Sequence, residues 1–346
     1  MTLSRLAALL HIAPFVLILM GCASETGQPA AEVTVTQPPS ATERAPATEP
    51  SPIETATGAA MVTATGRSAT PSPAPFPSPS MAPTFTATPI PFASTDSIGV
   101  SIGGRDLRHT RLGFGATQLV LLGALHGGHE CNTRDMLLAI EERLLAEPEL
   151  VPASLTLHIL PELNPDGCLL DMRENARGVD LNRNWDTPDW SPDAEGPYGY
   201  LPGSGGDVPF SETETYYLRN WLLALREANP EAPIIVISYH SAYPPTGLVL
   251  PGYHFSGETD AAAAELAQFY SDQAGYGYGT TWLGDYSITG ELVYWLTLNG
   301  FVGLDVELPD REGAEWIPAG FTLSHTDNNW QALLALLTWL AEPLPL

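Results

Sequence analysis

Short apolar runs alternate with amphipathic segments along most of the chain. Largely apolar runs of strand length lie at 119–125, 155–159, 234–238 and 301–308, and the first is typical of a strand buried on both faces. Apolar residues recur with helical spacing at 133–145, 211–230, 260–274, 289–298 and 330–340. Because strand, helix, strand is the parallel crossover unit, the pattern predicts an α/β domain with a mostly parallel sheet flanked by helices.

Local signals place two of the boundaries between these elements. Ser211 followed by Glu214 has the spacing of a capping box, which predicts that a helix starts at Ser211. The pairs Asn164-Pro165 and Asp166-Gly167 predict a turn after the strand at 155–159. Shorter strands are expected at 98–102 and 248–250.

Polar side chains stand at the ends of three predicted strands. His126 and Glu130 follow the first apolar run, His240 follows the third, and Glu307 lies near the end of the last. Carboxyl ends of parallel strands meet at one edge, where open α/β sheets bind ligands. Two imidazoles and a carboxylate around one metal, with a second carboxylate as base, form a hydrolytic zinc site. The sequence therefore predicts such a site at this edge.

The first 95 residues have no core-forming composition. Arg5 precedes an apolar run too short to span a bilayer comfortably, and Cys22 follows it directly after a glycine. Residues 1–21 therefore resemble a bacterial lipoprotein signal, with Cys22 lipidated. Residues 22–95 are dominated by Pro, Ser, Thr and Ala and predict an extended linker. We expect one catalytic domain at 96–346, exported and held only by lipid on the outer face of the bacterial cell membrane.

Charge and cysteine content narrow the classes of partner. The chain has 14 basic and 40 acidic residues, a net charge of -26, and all its basic residues are arginine, so nucleic acid is excluded as a partner. Cys131 and Cys168 remain after Cys22, in a compartment that permits disulfides. A disulfide and two buried thiols are both open, and we favour the thiols because sequence does not show the Cα separation.

The constellation resembles the zinc metallocarboxypeptidase family. The matching segments follow the family's order over nearly the whole domain, and Gly178–Trp185 (GVDLNRNW) is the most specific of them. The others are His126 to Glu130, Asn164-Pro165-Asp166-Gly167, Tyr239-His240-Ser241 and Val306-Glu307-Leu308. The resemblance implies the family's single domain with a central mixed sheet.

The resemblance also implies one zinc ion and the groups that activate water. His126, a neighbouring carboxylate and His240 would hold the zinc, and Asp180 would accept the other ring N–H of His126. Glu307 would take a proton from the zinc-activated water and return it to the leaving amine. Arg173 would polarise the scissile carbonyl and stabilise the oxyanion.

Substrate-binding roles follow from the same resemblance. Asn182 and Arg183 would bind the terminal carboxylate of a peptide, and Tyr286 would close over it. Val293 stands at the position that resembles the family's specificity residue and favours an apolar released side chain. Glu291 and the negative charge favour a basic one, and we expect the apolar preference. Tyr294 departs from the family, which commonly has an acidic residue there.

The first metal motif also departs from the family's pattern. The family separates its His and Glu by two residues, whereas here Glu130 lies four positions after His126 and His129 occupies the expected place. We favour Glu130 as the ligand, since Gly127 and Gly128 ease a one-residue expansion. His129 as the ligand, or a degenerate site, stays open.

The expected function is zinc-dependent hydrolysis of C-terminal peptide bonds of extracellular peptides that carry a free carboxylate, by a monomer. The alternatives are a cell-wall peptide amidase of the same family, and a catalytically inactive peptide-binding lipoprotein that keeps the carboxylate-binding residues without the metal.

Overall fold

The computed structural model describes residues 92–241, 244–253, 257–284, 286–309 and 316–341. These residues belong to a compact unit that runs from Pro83 to Leu346. The predicted signal segment 1–21, Cys22 and the predicted linker as far as residue 91 lie outside the described residues. Within the described ranges, no helix has both the length and the apolarity needed to cross a membrane.

The described part of the chain is built on an eight-stranded sheet in the order β1-β2-β4-β3-β7-β10-β8-β9. The strands are β1 (Ala93–Val100), β2 (Asp106–Gly113), β3 (Thr117–Leu122), β4 (Leu155–Leu160), β7 (Ile234–Ser241), β8 (Leu248–Pro251), β9 (Gly277–Tyr278) and β10 (Val302–Leu308). β5 (Ala194–Gly196) and β6 (Gly199–Leu201) form a separate hairpin.

The four central strands, β4, β3, β7 and β10, are mutually parallel. The pairs β1 with β2, β2 with β4 and β10 with β8 are antiparallel. The predicted mixed, mostly parallel sheet is therefore confirmed. The carboxyl ends of β3, β7 and β10 consequently lie side by side, and the polar segments that follow them meet at one edge.

Helices cover both faces of the sheet. They are α1 (Asn132–Ala146), α2 (Pro165–Leu170), α3 (Thr213–Ala228), α4 (Ala261–Ala274), α5 (Leu292–Leu298) and α6 (His325–Ala341). Side chains of β3 alternate between the two cores, because successive strand residues point to opposite faces. Leu119 and Leu121 pack with α1, α4 and α6, whereas Val120 and Leu122 pack with α3 and α5.

Three local predictions differ from the structure. β1 begins at Ala93, inside the predicted linker, because pairing with β2 orders a segment with little apolar content of its own. The predicted turn at 164–167 continues into α2, whose N-cap is Asn164. Ser211 and Glu214 form no capping box: the Ser211 hydroxyl donates to Glu212, and Glu214 accepts the amide of Ile102, so both are taken by other partners.

Cys131 and Cys168 form a disulfide, with their Cα atoms 5.8 Å apart. The expectation of two free thiols was therefore wrong. Cys131 ends the turn that follows β3, and Cys168 lies in α2, which follows β4. Because β3 and β4 are paired neighbours, their downstream segments come within disulfide distance, a consequence of topology that local sequence does not show.

His158 is a buried core histidine, and it belongs to a hydrogen-bonded row. His158 Nε2 donates to Gln118 Oε1 at 2.9 Å, so its Nδ1 accepts from His109 Nε2, also at 2.9 Å. Trp221 packs against both rings. Burial lowers the pKa of His109 to about 4 and that of His158 to about 3. Both imidazole rings are therefore neutral in the folded protein at neutral pH.

Acid should destabilise the fold through this row. The folded-state pKa values lie below that of an unfolded histidine, so the unfolded chain binds more protons once the pH falls below about 6.5. We expect the free energy of unfolding, measured with urea, to fall between pH 7 and pH 5. His158→Gln should reduce that fall by about 2 kcal/mol. An equal fall in the variant and the unmodified protein would contradict this.

Candidate metal centre and active site

The site lies where β3, β7 and β10 end. His240 and Glu307 are register partners on the adjacent parallel strands β7 and β10. His126 and Glu130 come from the segment that follows β3, the neighbour of β7 on its other side. The sheet thus brings together side chains separated by more than a hundred positions in the chain, as the strand-end pattern predicts.

Three of these side chains form a compact set of metal ligands. His126 Nδ1 lies 3.0 Å from Glu130 Oε2, and His240 Nδ1 lies 3.3 Å from both. All three residues are only 3% exposed. A tetrahedral zinc with bonds of about 2.1 Å separates its ligands by about 3.4 Å, so the donor set fits this ion. Two ring nitrogens facing each other and a carboxylate require a cation or a proton between them.

The turn after β3 explains how Glu130 reaches the triad. Gly128 has a positive φ of 63°, which favours glycine, and it opens a 3₁₀ turn over Gly128–Cys131. A Cβ on Gly127 would lie 2.3 Å from backbone atoms of Gly167 and Met172. The two glycines therefore permit the longer spacing between His126 and Glu130, and the disulfide at Cys131 ties the end of the turn to α2.

His129 lies outside the triad, on the wall of the cleft. Its Nε2 lies 3.0 Å from the carbonyl oxygen of Ser241, to which it donates. Glu130 instead accepts the backbone N–H of Ser241 at 3.2 Å. The structure thus brings Glu130 rather than His129 together with the two histidines, and the choice of zinc ligand stays a prediction.

Both histidines have partners on their outer ring nitrogens. Asp180 Oδ1 lies 3.0 Å from His126 Nε2 and accepts its proton, which leaves Nδ1 for the metal. Arg173 holds the pKa of the Asp180 carboxyl well below its usual range. Ser238 Oγ lies 2.9 Å from His240 Nε2. Our sequence interpretation missed Ser238, although its position two residues before His240 places both on one face of β7.

Arg173 lies against the ligands in this structure. Its Nη1 donates to Glu130 Oε1 at 2.6 Å and its Nε to Asp180 Oδ2 at 3.0 Å, while Nη2 lies 2.9 Å from His126 Nε2. These carboxylates raise the pKa of Arg173 against the opposing effect of burial. Arg173 also lines the cleft. Its contact with a scissile carbonyl stays a prediction.

The segment Gly178–Trp185 forms a buried wall of the cleft. Arg183 is 2% exposed, and its Nη1 and Nε donate to the carbonyls of Asn182 and Glu195. These two bonds leave its other donors for a ligand in the cleft. The Asn182 side chain accepts the amide of Leu292 at 2.9 Å, which ties this wall to the start of α5.

Glu307 and Tyr286 complete the cleft, which has a volume of about 350 Å³. Glu307 is half-buried at the end of β10, and burial raises its pKa to about 8. The Tyr286 ring lies 5.9 Å from the Arg183 guanidinium carbon and 5.7 Å from the Trp282 ring. Val293 lines a neighbouring cavity rather than this cleft.

A buried His-Glu-His set beside a carboxylate and an arginine wall defines a zinc hydrolase site. Residues 86–332 match the family model of zinc carboxypeptidases, so the chain belongs to that family and is a zinc metallopeptidase. Zinc is accordingly its cofactor. His126, Glu130 and His240 are the residues that fit it.

Individual relatives are more distant. Murein peptide amidase A of Escherichia coli K12 is 35% identical over 127 residues, which cover 34% of this chain and 48% of the relative. The match thus spans about half the length of that protein. The murein-tripeptide amidase structure from E. coli O157 has a TM-score of 0.50 at 21% identity, covering 75% of this chain and 95% of that one. Carboxypeptidase A from Helicoverpa armigera gives 0.51 at 18%, covering 72% and 66%.

Replacing each of the two candidate ligands by alanine in turn tests the metal assignment. Glu130→Ala should lose zinc, because it removes one donor of the buried triad. His129→Ala should retain about one zinc per chain, because its ring bonds a backbone carbonyl instead. Zinc content by mass spectrometry after gel filtration measures both variants. Zinc retained in Glu130→Ala and lost in His129→Ala would overturn the assignment.

Proposed function

We propose that the protein is a metallocarboxypeptidase that removes the C-terminal residue of extracellular peptides. The carrying observation is the buried Arg183, which lines the same cleft as the metal triad and Glu307 and makes only two carbonyl hydrogen bonds in the described part of the chain. A planar guanidinium binds a carboxylate in a bidentate manner. A substrate held there by its terminal carboxylate would place its last peptide bond toward the triad.

The residues of the cleft can then divide the work of hydrolysis. Bound zinc would polarise the scissile carbonyl and make water a stronger nucleophile. Glu307 would accept a proton from the attacking water and pass it to the leaving amine. Arg173 would stabilise the charge that develops on the carbonyl oxygen. His126 and His240 are held in place for this chemistry by Asp180 and Ser238.

A second candidate is a cell-wall peptide amidase. It is favoured by the curated relative, a murein peptide amidase whose similarity lies within 127 residues. The same triad, base and carboxylate-binding arginine would serve both reactions. The two functions differ in the substrate that presents the free carboxylate, so substrates discriminate them.

A peptide-library digest tests the proposal. The zinc-loaded protein should release single C-terminal residues, followed by mass spectrometry, and amidation of the peptide C-terminus should abolish release. Glu307→Gln should lower kcat by at least about a hundredfold, because it removes the proton acceptor. Glu265→Gln, an exposed change on α4, is the matched control.

Each other outcome has a defined meaning. Turnover by Glu307→Gln at the unmodified rate would exclude Glu307 as the base. Cleavage of murein peptides without cleavage of ordinary peptides would replace the carboxypeptidase by the amidase. Less than about one zinc per chain, together with no hydrolysis of either class, would favour the inactive peptide-binding protein.

We also propose that the enzyme is exported and anchored by lipid at Cys22, acting as a monomer on the outer face of the cell membrane. The supporting features are the apolar run before Gly21-Cys22 and the Pro-rich stretch after it. Labelled palmitate should be incorporated into the chain in a bacterial host that processes lipoproteins. Cys22→Ala should lose the label, and retention of label would exclude Cys22.

A further inference from the structure

A second cavity, of about 270 Å³, shares part of its wall with the catalytic cleft. The two spaces share Leu250, Trp282, Ile288, Glu291 and Asp305. The wall that the two spaces share therefore consists of apolar side chains and two carboxyl groups. We refer to this space as the inner cavity.

Asp305 lies one row of side chains deeper than Glu307. Both face the same side of the sheet, because they are two residues apart on β10. Glu307 pairs with His240 on β7, and Asp305 pairs with Ser238. In this second row, Asp305 lines both the catalytic cleft and the inner cavity, whereas Ser238 contacts His240.

Asp305 is buried, and one of its carboxylate oxygens lacks a hydrogen bond in the described part of the chain. It is 4% exposed, and its Oδ1 has no hydrogen-bond partner among the described residues. The nearest ring nitrogen, His240 Nε2, is 3.4 Å away and already lies 2.9 Å from Ser238 Oγ. A buried carboxylate oxygen without a donor is costly, so a ligand that supplies one would be bound favourably.

Glu291 is the second carboxyl group and is held rigidly. It immediately precedes α5, whose first amide, that of Leu292, is bonded to Asn182. Tyr253 donates to its Oε2 at 3.0 Å, and the Tyr253 ring stacks on Tyr294 with centroids 4.8 Å apart. Tyr294, which departs from the family's pattern, thus positions Tyr253 and through it Glu291. Burial and Asp305 raise the pKa of Glu291 to about 8.

The charges of the cleft do not require these two carboxyl groups. Bound zinc with Arg173 and Arg183 would balance the three carboxylates of the catalytic centre together with that of the substrate. Glu291 and Asp305 are surplus to that balance. No salt bridge joins Glu291 to a basic side chain within the described ranges. The inner cavity therefore carries acidic groups whose natural complement is a cation from outside.

We propose that the inner cavity receives a cationic side chain on the residue released, with Glu291 and Asp305 as the partners of its ammonium or guanidinium group. The inference rests on the proposed function, because it takes Arg183 as the site of the terminal carboxylate. The methylene stem would pass Leu250 and Ile288, as long basic side chains lie along apolar surface. This replaces the apolar preference that Val293 alone favoured.

Pairs of substrates that differ in the charge of the released side chain test the inference. Peptides ending in arginine and citrulline have closely similar shapes and differ in the positive charge, and norleucine is lysine without its terminal ammonium group. We expect kcat/KM of the zinc-loaded enzyme to favour the charged member by at least about tenfold. Glu291→Gln and Asp305→Asn should each lower that ratio, and the double variant should bring it near one.

Glu265→Gln should leave the ratio unchanged, as it removes one exposed negative charge on α4. A wild-type preference for norleucine and citrulline would overturn the inference. So would an unchanged ratio in a folded double variant, with folding checked by circular dichroism.

A binding measurement separates this inference from the proposed function. Calorimetry with alanyl-lysine and alanyl-norleucine on zinc-loaded Glu307→Gln measures recognition without turnover. Tighter binding of alanyl-lysine supports the inference even if no peptide is hydrolysed, an outcome that would defeat the proposed function alone. Equal binding together with equal hydrolysis of both peptide classes would leave the carboxypeptidase standing and defeat the inference.

Discussion

Holding two imidazole nitrogens and a carboxylate oxygen 3.0–3.3 Å apart in a buried site is the constraint on which the other features of this domain depend. Without a cation, such a set leaves ring nitrogens facing each other and a carboxylate removed from water, which is unfavourable. The fold enforces the arrangement through the parallel register of β7 and β10 and through the glycine turn after β3. The disulfide at Cys131 then ties that turn to α2.

Successive layers around the triad have distinct tasks. Asp180 and Ser238 fix the orientation of the two histidines. Asn182 joins the arginine wall to the start of α5, and thereby couples the place where a carboxylate would bind to the position of Glu291. One continuous set of contacts therefore joins the arginine wall of the cleft to Glu291, and such contacts give a site the positional accuracy that hydrolysis requires.

Much of this was predictable because strand periodicity and strand-end residues are local signals. The buried runs ending in His240 and Glu307 located both the sheet and the site edge. What the sequence did not show depends on contacts between distant segments. The disulfide requires β3 and β4 to be neighbours, and the use of Ser211 and Glu214 outside a capping box requires partners far along the chain.

The carboxyl pair of the inner cavity shows the same limit. Alternation along β10 places Asp305 on the face of Glu307, a signal that was available in the sequence. That Glu291 lies beside it depends on where α5 packs, and that follows from Asn182 and the stacking of Tyr253 on Tyr294. Val293 alone favours an apolar occupant, whereas Glu291 and Asp305 support the cationic occupant that we propose.

The central claim is that His126, Glu130 and His240 together bind one zinc ion. X-ray absorption at the zinc edge, with anomalous diffraction from crystals of the zinc-loaded protein, tests it most directly. The account predicts one site, with two imidazole nitrogens and one carboxylate oxygen of Glu130 at about 2.0–2.2 Å. A zinc bound by three imidazoles including His129, or a zinc peak away from the ends of β3 and β7, would contradict it.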